Sequence, residues 1–221
     1  MMETRLANPV LILGGHLQTK EAFTYGRFEC SMKPAYGSGI ISSFFTFYDG
    51  SDFRTNWNEI DFEFLGRNTN AIDTNIIRTV NGYTDKNINV KHVALNKRSS
   101  DVFWKITLEW YPDIVVWRVN DVVIRTMSVV LSRPQKLMMN IWADSSSWAG
   151  EFNRGLLPQV ALYDYASYSK YINGLFVPVW RDDFNTIDLS RWMFGTWNQG
   201  QTTLVKENVS IVDSKLSIKL K

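Results

Sequence analysis

The sequence predicts an all-β fold, a sandwich of two antiparallel sheets in which residues 1–221 form one domain. Three observations predict it. Short segments that alternate apolar and polar residues recur along the chain, and clusters of turn-forming residues separate them. No amphipathic helix longer than about ten residues is found, nor any repeat of fixed period. Hydrophobic residues make up 45% of the chain and charged residues 21%, enough to bury a core and too apolar for a disordered chain. A length of 221 residues lies within the range of single all-β domains.

The elements follow in order. Residues 25–32, 40–48, 104–110 and 114–119 alternate with period two and carry the Val, Ile, Phe, Tyr and Trp that strands favour. Turns are expected at 34–39, 48–51, 111–113 and 119–121, where Pro, Gly, Asn and Asp gather. Residues 169–176 form the one candidate seam. Beyond it, 182–192 reads as loop and 209–220 as a strand hairpin. About 45 residues are too few for a second core without disulfides, so this tail is expected to complete the same sandwich.

Composition excludes several classes. Net charge is +2, from 24 basic and 22 acidic residues mixed along the chain, so no nucleic-acid stripe or polybasic membrane patch is present. Cys30 is the only cysteine and sits in an apolar alternation, as a small core residue would. Residues 1–5 do not read as a signal peptide, and the apolar run 9–13 is too short to span a bilayer. His16 and His92, with one cysteine, offer no zinc cluster of the usual spacing. Aromatic residues reach 14%; most must fill the core, but pyranose faces also pack on aromatic rings.

The most informative stretch is Trp57-Asn58-Glu59-Ile60-Asp61-Phe62-Glu63-Phe64-Leu65-Gly66. On a strand, Glu59, Asp61 and Glu63 share one face while Ile60, Phe62 and Phe64 share the other. Three like charges in a row raise one another's pKa, a cost a purely structural strand has no reason to carry. A solvated face would mix signs, and no Lys or Arg interrupts this trio. Retaining glycosidases need a nucleophilic carboxylate and an acid/base carboxylate about 5–5.5 Å apart. At about 3.3 Å per residue the Cα atoms of Glu59 and Glu63 stand roughly 13 Å apart, so the side chains must lean together on a curved sheet. Asp61 lies between them, and crowding raises Glu63 as a general acid requires.

The motif resembles the signature of glycoside hydrolase family 16, in the form shared by lichenases and xyloglucan endotransglycosylases. Residues 25–35, 42–46 and 137–142 are also lichenase-like. The segment from Asp183-Phe184-Asn185 through Trp192 to Lys215-Leu216-Ser217-Ile218 lies at the amino end of most lichenases but at the carboxyl end here. The resemblance therefore implies a circularly permuted, concanavalin-like jelly roll. It implies an endo-acting, retaining β-glucanase cutting mixed-linkage β-1,3-1,4-glucan, with Glu59 as nucleophile, Glu63 as acid/base and Asp61 as helper.

By the same resemblance Phe45, Phe47, Trp57, Asn75, Asn140, Trp142, Trp148 and Trp197 line a sugar cleft. Each also has a structural reading: the aromatics as core, the amides as satisfying backbone groups. His16 and Gln18 stand where lichenases present a Glu and often an Arg that hold glucose hydroxyls, so His16 joins the substrate-binding set and subsite preference is altered. Asp164 matches the acidic ligand of a structural calcium, or is a surface Asp; no cofactor is expected for catalysis. A monomer acting outside the cell, on a polysaccharide and without membrane or nucleic-acid partners, is expected. Two other readings stay open: action on xyloglucan or β-1,3-glucan, or a non-catalytic glucan-binding module. The plant transglycosylases carry a disulfide-bearing extension that this chain lacks, and a lectin-like module has no use for three aligned acids.

Overall fold

The computed structural model describes residues 11–84, Lys86 and 89–221; residues 1–5, discussed above for a signal peptide, lie outside the described residues. The first half of the chain gives strands β1 (Ile12–Thr19), β2 (Gly26–Lys33), β3 (Ile40–Phe47), β4 (Asn58–Leu65), β5 (Ala71–Val80), β6 (Tyr83–Thr84), β7 (Lys91–Ala94), β8 (Trp104–Trp110) and β9 (Ile114–Val119). The second half adds β10 (Val122–Ser128), β11 (Lys136–Ala143), β12 (Gln159–Ile172), β13 (Leu175–Asp182), β14 (Trp192–Phe194), β15 (Asn198–Gln199), β16 (Thr202–Leu204), β17 (Val209–Val212) and β18 (Lys215–Leu220). Among the described residues, helical structure is limited to three short 3₁₀ turns.

The strands form a ten-stranded and an eight-stranded sheet among the described residues. The first runs β15-β16-β1-β11-β3-β4-β5-β6, with β14 also on β1 and β7 also on β5. The second runs β10-β9-β8-β2-β12-β18-β17, with β13 on β12. This is the expected sandwich, with one departure: β1 and β16 pair in parallel, Ile12 opposite Thr202 and Gly14 opposite Leu204. The reason is topological. β14 runs antiparallel to β1, and the β15–β16 hairpin then reverses the chain before it returns to β1.

Alternation places one face of each sheet in a shared core. Ile60, Phe62 and Phe64 of β4 pack in the same cluster as Phe28, Cys30, Leu108, Trp110 and Trp117 of the second sheet. Two polar pins cross that core behind β3 and β4. The Trp117 indole donates to the Asp61 carbonyl at 2.9 Å, and the Tyr163 hydroxyl donates to the Ser43 carbonyl at 2.7 Å. Both buried donors are thereby satisfied, and both fix backbone beneath the outer face of the first sheet.

The candidate seam is a hairpin. Asn173 (φ 49°) and Gly174 (φ 86°) join β12 to β13 in the left-handed conformation that two-residue hairpin turns require. The tail beyond it adds β14 to β16 to the first sheet and β17 and β18 to the second. Leu13 and Lys221 exchange two backbone hydrogen bonds of 2.7 and 2.9 Å, which brings the far end of the sequence beside β1.

Candidate active site

Because Ile60 and Phe62 are fully buried and Phe64 nearly so, the pleat of β4 sends Glu59, Asp61 and Glu63 to the outer face of the first sheet. Register then sets their neighbours. Glu63 lies between Ser43 on β3 and Asp73 on β5, Asp61 between Phe45 and Asn75, and Glu59 between Phe47 and Ile77. The row through Glu63 continues across β11 and β1 to Asn140 and His16, and across β7 to His92.

The three carboxyls sit in different fields. The Trp57 indole N–H donates to Glu59 Oε2 at 2.5 Å. Burial pushes Glu59 up to about 7, while Trp57, the Lys86 ammonium and a hydrogen bond from Asp61 pull it back. Asp61 is held well above the carboxylate range by burial first, then by the charges of Glu59 and Glu63 and its bond to Glu59. It keeps its proton and donates it to Glu59. Glu63 is also held well above the usual range, by burial and then by the charges of Glu59 and Asp73. Crowding alone was expected to raise Glu63; burial is the larger cause, and Asp73 is a contributor that the motif does not contain. All three acids are raised, Glu59 to about 7 and Asp61 and Glu63 well above their usual range, so Glu59 is the readiest of the three to ionise.

Aromatic side chains flank the trio. At the Glu59 end, Trp57 lies 5.3 Å from Phe47 and 5.8 Å from Phe53, centroid to centroid. Lys86 Nζ rests 4.0 Å over the Trp57 ring. Toward Glu63, Trp142 and Trp148 lie 6.2 Å apart, and the Trp148 indole donates to Asp73 Oδ2 at 2.9 Å. Trp197 is 43% exposed and packs edge-on against His16 at 4.5 Å. Gly195 permits that approach, since a Cβ there would meet the Trp197 ring at 2.6 Å.

Four expected cleft residues, His16, Asn75, Asn140 and Phe45, lie deeper than the sequence suggested. His16 is fully buried under Trp197, with Nε2 3.0 Å from Gln18 Oε1, and burial pushes its imidazole down to about 4, so it is neutral. Asn140 is fully buried and donates to Gln199 Oε1 at 3.2 Å. Phe45, opposite Asp61 in the same row, is buried. They form floor rather than wall. Asn75 donates to the Lys86 carbonyl at 2.9 Å. Among the described residues, His16 Nδ1, Ser43 Oγ, Asn75 Oδ1, Asn140 Oδ1 and Trp142 Nε1 are buried without a partner. Their residues line the same face as the acids, where an ordered water or a ligand would supply the missing bonds.

The sequence reading missed Asp73, His92, Lys86, Phe53 and Ser43. Asp73 had a usable signal: it stands two residues before Asn75, and period two puts both on one face. Asp164 stands apart on β12 of the second sheet, at a register shift between Tyr163 and Tyr165. Lys215 Nζ lies 3.6 Å from it, and among the described residues no group of three or more His, Cys, Asp or Glu is placed to hold a metal ion. Calcium takes six to eight oxygens, of which the Asp164 side chain would supply at most two.

The family described as Glycosyl hydrolases family 16 matches residues 3–161. A β-glucanase of Fibrobacter succinogenes is 32% identical over 94% of this chain, and the chain spans 63% of that relative's length. The structure of a β-glucanase from Bacillus licheniformis is similar over 69% of each chain, with 34% identity and a TM-score of 0.61. That of a β-1,3-1,4-glucanase (lichenase) from a mouse hindgut metagenome is similar over 71% of this chain and 79% of its own, with 29% identity and a TM-score of 0.60.

Proposed function

The chain belongs to glycosyl hydrolases family 16, and from that premise we propose that it is an endo-acting, retaining β-glucanase of mixed-linkage β-1,3-1,4-glucan. One observation carries the reading: Glu59, Asp61 and Glu63 share the outer face of β4 with Glu59 the readiest of the three to ionise. In the first step Glu63 gives its proton to the glycosidic oxygen as the bond from that oxygen to the anomeric carbon breaks. The Glu59 carboxylate forms a bond to the same carbon from the opposite side. In the second step Glu63, now ionised, takes a proton from water while the water oxygen displaces Glu59. Two inversions leave the configuration unchanged. Asp61 donates to Glu59 throughout and steadies its charge as it leaves.

Several observations support the substrate. Trp57, Trp142, Trp148 and Trp197 offer rings on both sides of the acids, and a β-1,3 link puts a bend into an otherwise straight β-1,4 chain. The hindgut lichenase is named for mixed-linkage cleavage. The permuted order is supported by coverage: the Fibrobacter relative aligns with 94% of this chain, the Bacillus structure with 69%. A polymer of this kind does not cross a membrane, which favours action outside the cell, and no helix among the described residues is long and apolar enough to span a bilayer.

The test is a panel of equal masses of lichenan, barley glucan, laminarin, carboxymethylcellulose and xyloglucan, with product analysis. Barley glucan and lichenan should be cleaved fastest. Faster turnover of laminarin or xyloglucan would overturn the substrate; no release from any would overturn the hydrolase.

A further inference from the structure

A second polar cluster abuts the acid trio without belonging to its motif. Asp73 is directly opposite Glu63 in the β4–β5 ladder, where facing Cβ atoms lie about 4.5–5.5 Å apart. It is only 3% exposed. Both of its oxygens accept N–H donors. His92 Nδ1 from β7 lies 2.5 Å from Oδ1, and the Trp148 indole lies 2.9 Å from Oδ2. The two donors hold both oxygens of Asp73 in place. The same cluster borders a pocket of about 400 Å³ lined by Leu65, Arg67, Asn68, Ala71, Asp73 and His92. The His92 side chain is 61% exposed there, so the cluster reaches from solvent to the buried acid.

We propose that Asp73, clamped between His92 and Trp148, is a positioning residue whose fixed charge keeps the proton on Glu63 until a glycosidic oxygen takes it. The inference rests on Glu63 being the acid/base of the proposed reaction. Every charged neighbour of Glu63 enters the argument. Its own strand brings Glu59 and proton-bearing Asp61; β3 brings Ser43 and Phe45, which carry no charge. β5 brings Asp73 and neutral Asn75, and β7 brings His92. Lys86 acts at the Glu59 end, and Arg67 lies across the pocket. The charges that raise Glu63 are those of Glu59 and Asp73. Glu59 is consumed when it bonds to the sugar; Asp73 is not. It therefore remains to draw a proton back onto Glu63 in the second step, when Glu63 must take one from water.

The sign is testable. A general acid works only while protonated, so activity falls as pH rises through its pKa, and the descending limb of kcat/KM reports that value in the free enzyme. Asp73→Asn removes the charge and leaves a similar shape. The descending limb should move to lower pH by about one unit, with the ascending limb in place. His92→Ala, which leaves one Asp73 oxygen without its donor, should move the limb part of the way. His92→Asn, which restores an N–H donor, should return it toward the parent position. A purely structural tie between β5 and β7 would lower the whole profile without moving either limb. That outcome, or a limb that moves upward, overturns the proposal. If Asp73→Asn does not fold, the two His92 variants decide: limbs at the same pH in both overturn it. Glu63→Ala serves as the control that separates the two claims. Full activity in that variant defeats the assignment of Glu63 itself, whereas an inactive Glu63→Ala beside an unmoved Asp73→Asn limb defeats only the role of Asp73.

Discussion

Glu59 and Glu63 are the same residue type on the same face of one strand, and what differs is their surroundings. Glu59 receives the Trp57 indole, Asp61 and the nearby Lys86 charge; Glu63 faces Asp73. This difference makes Trp57 more than a stacking ring. Trp57→Phe keeps the aromatic surface but removes a donor that lowers Glu59, so Glu59 should rise above its present value of about 7. The nucleophile must be ionised, so the ascending limb of kcat/KM should move to higher pH while the descending limb stays. A pH profile of the variant checks this, and an unmoved ascending limb would show that the indole serves only to stack. The acid trio was legible because three acids at period two, with no cation among them, are rare enough to carry meaning alone. Asp73 and His92 were not legible. Each is an ordinary residue in its own segment, and their meeting depends on the ladders that join β4, β5 and β7.

Each catalytic candidate depends on its strand, and β4 shows how. Its inner residues anchor the strand in the core; its outer residues hold the acids. Phe62→Ala should cost about 3–5 kcal/mol, lower the melting temperature and lose activity along with the fold. Asp61→Asn should lose activity with the melting temperature held or raised, because it removes an acid that is costly to ionise. Thermal melts beside activity assays separate the two, and equal melting losses would mean that the outer face is also structural. The readable strands were those whose residue types alternate: β2 and β9 alternate in burial too, while β4 and β8 alternate in residue type although both of their faces are largely buried. β1 did not stand out, because Gly14 to Thr19 are buried on both faces and the alternation is lost. β13 was not read as a strand: only Leu175 and Phe176 fall within the 169–176 seam, and Pro178 interrupts the apolar residues that follow. The parallel β1–β16 pairing leaves no local signature at all.

At the scale of the whole molecule, the candidate site is a set of rows laid across strands that are far apart in sequence. His16, Asn140, Ser43, Glu63, Asp73 and His92 form one row drawn from six strands. Order along the chain is thus less important than order within the sheet, which is why a permuted sequence can present the same face. The second sheet supports this face from behind through Trp117 and Tyr163, and Asp164 on that sheet already pairs with Lys215. Chelator should therefore leave the melting temperature unchanged. A rise with added calcium that disappears in Asp164→Ala would contradict that reading. The central claim is that Glu59 attacks the anomeric carbon and Glu63 supplies and recovers the proton. It is tested most directly by proton NMR of barley glucan during the first minutes of digestion, before mutarotation scrambles the new reducing ends. The first-formed ends should be β. First-formed α ends would contradict a double displacement and with it the assignment of Glu59.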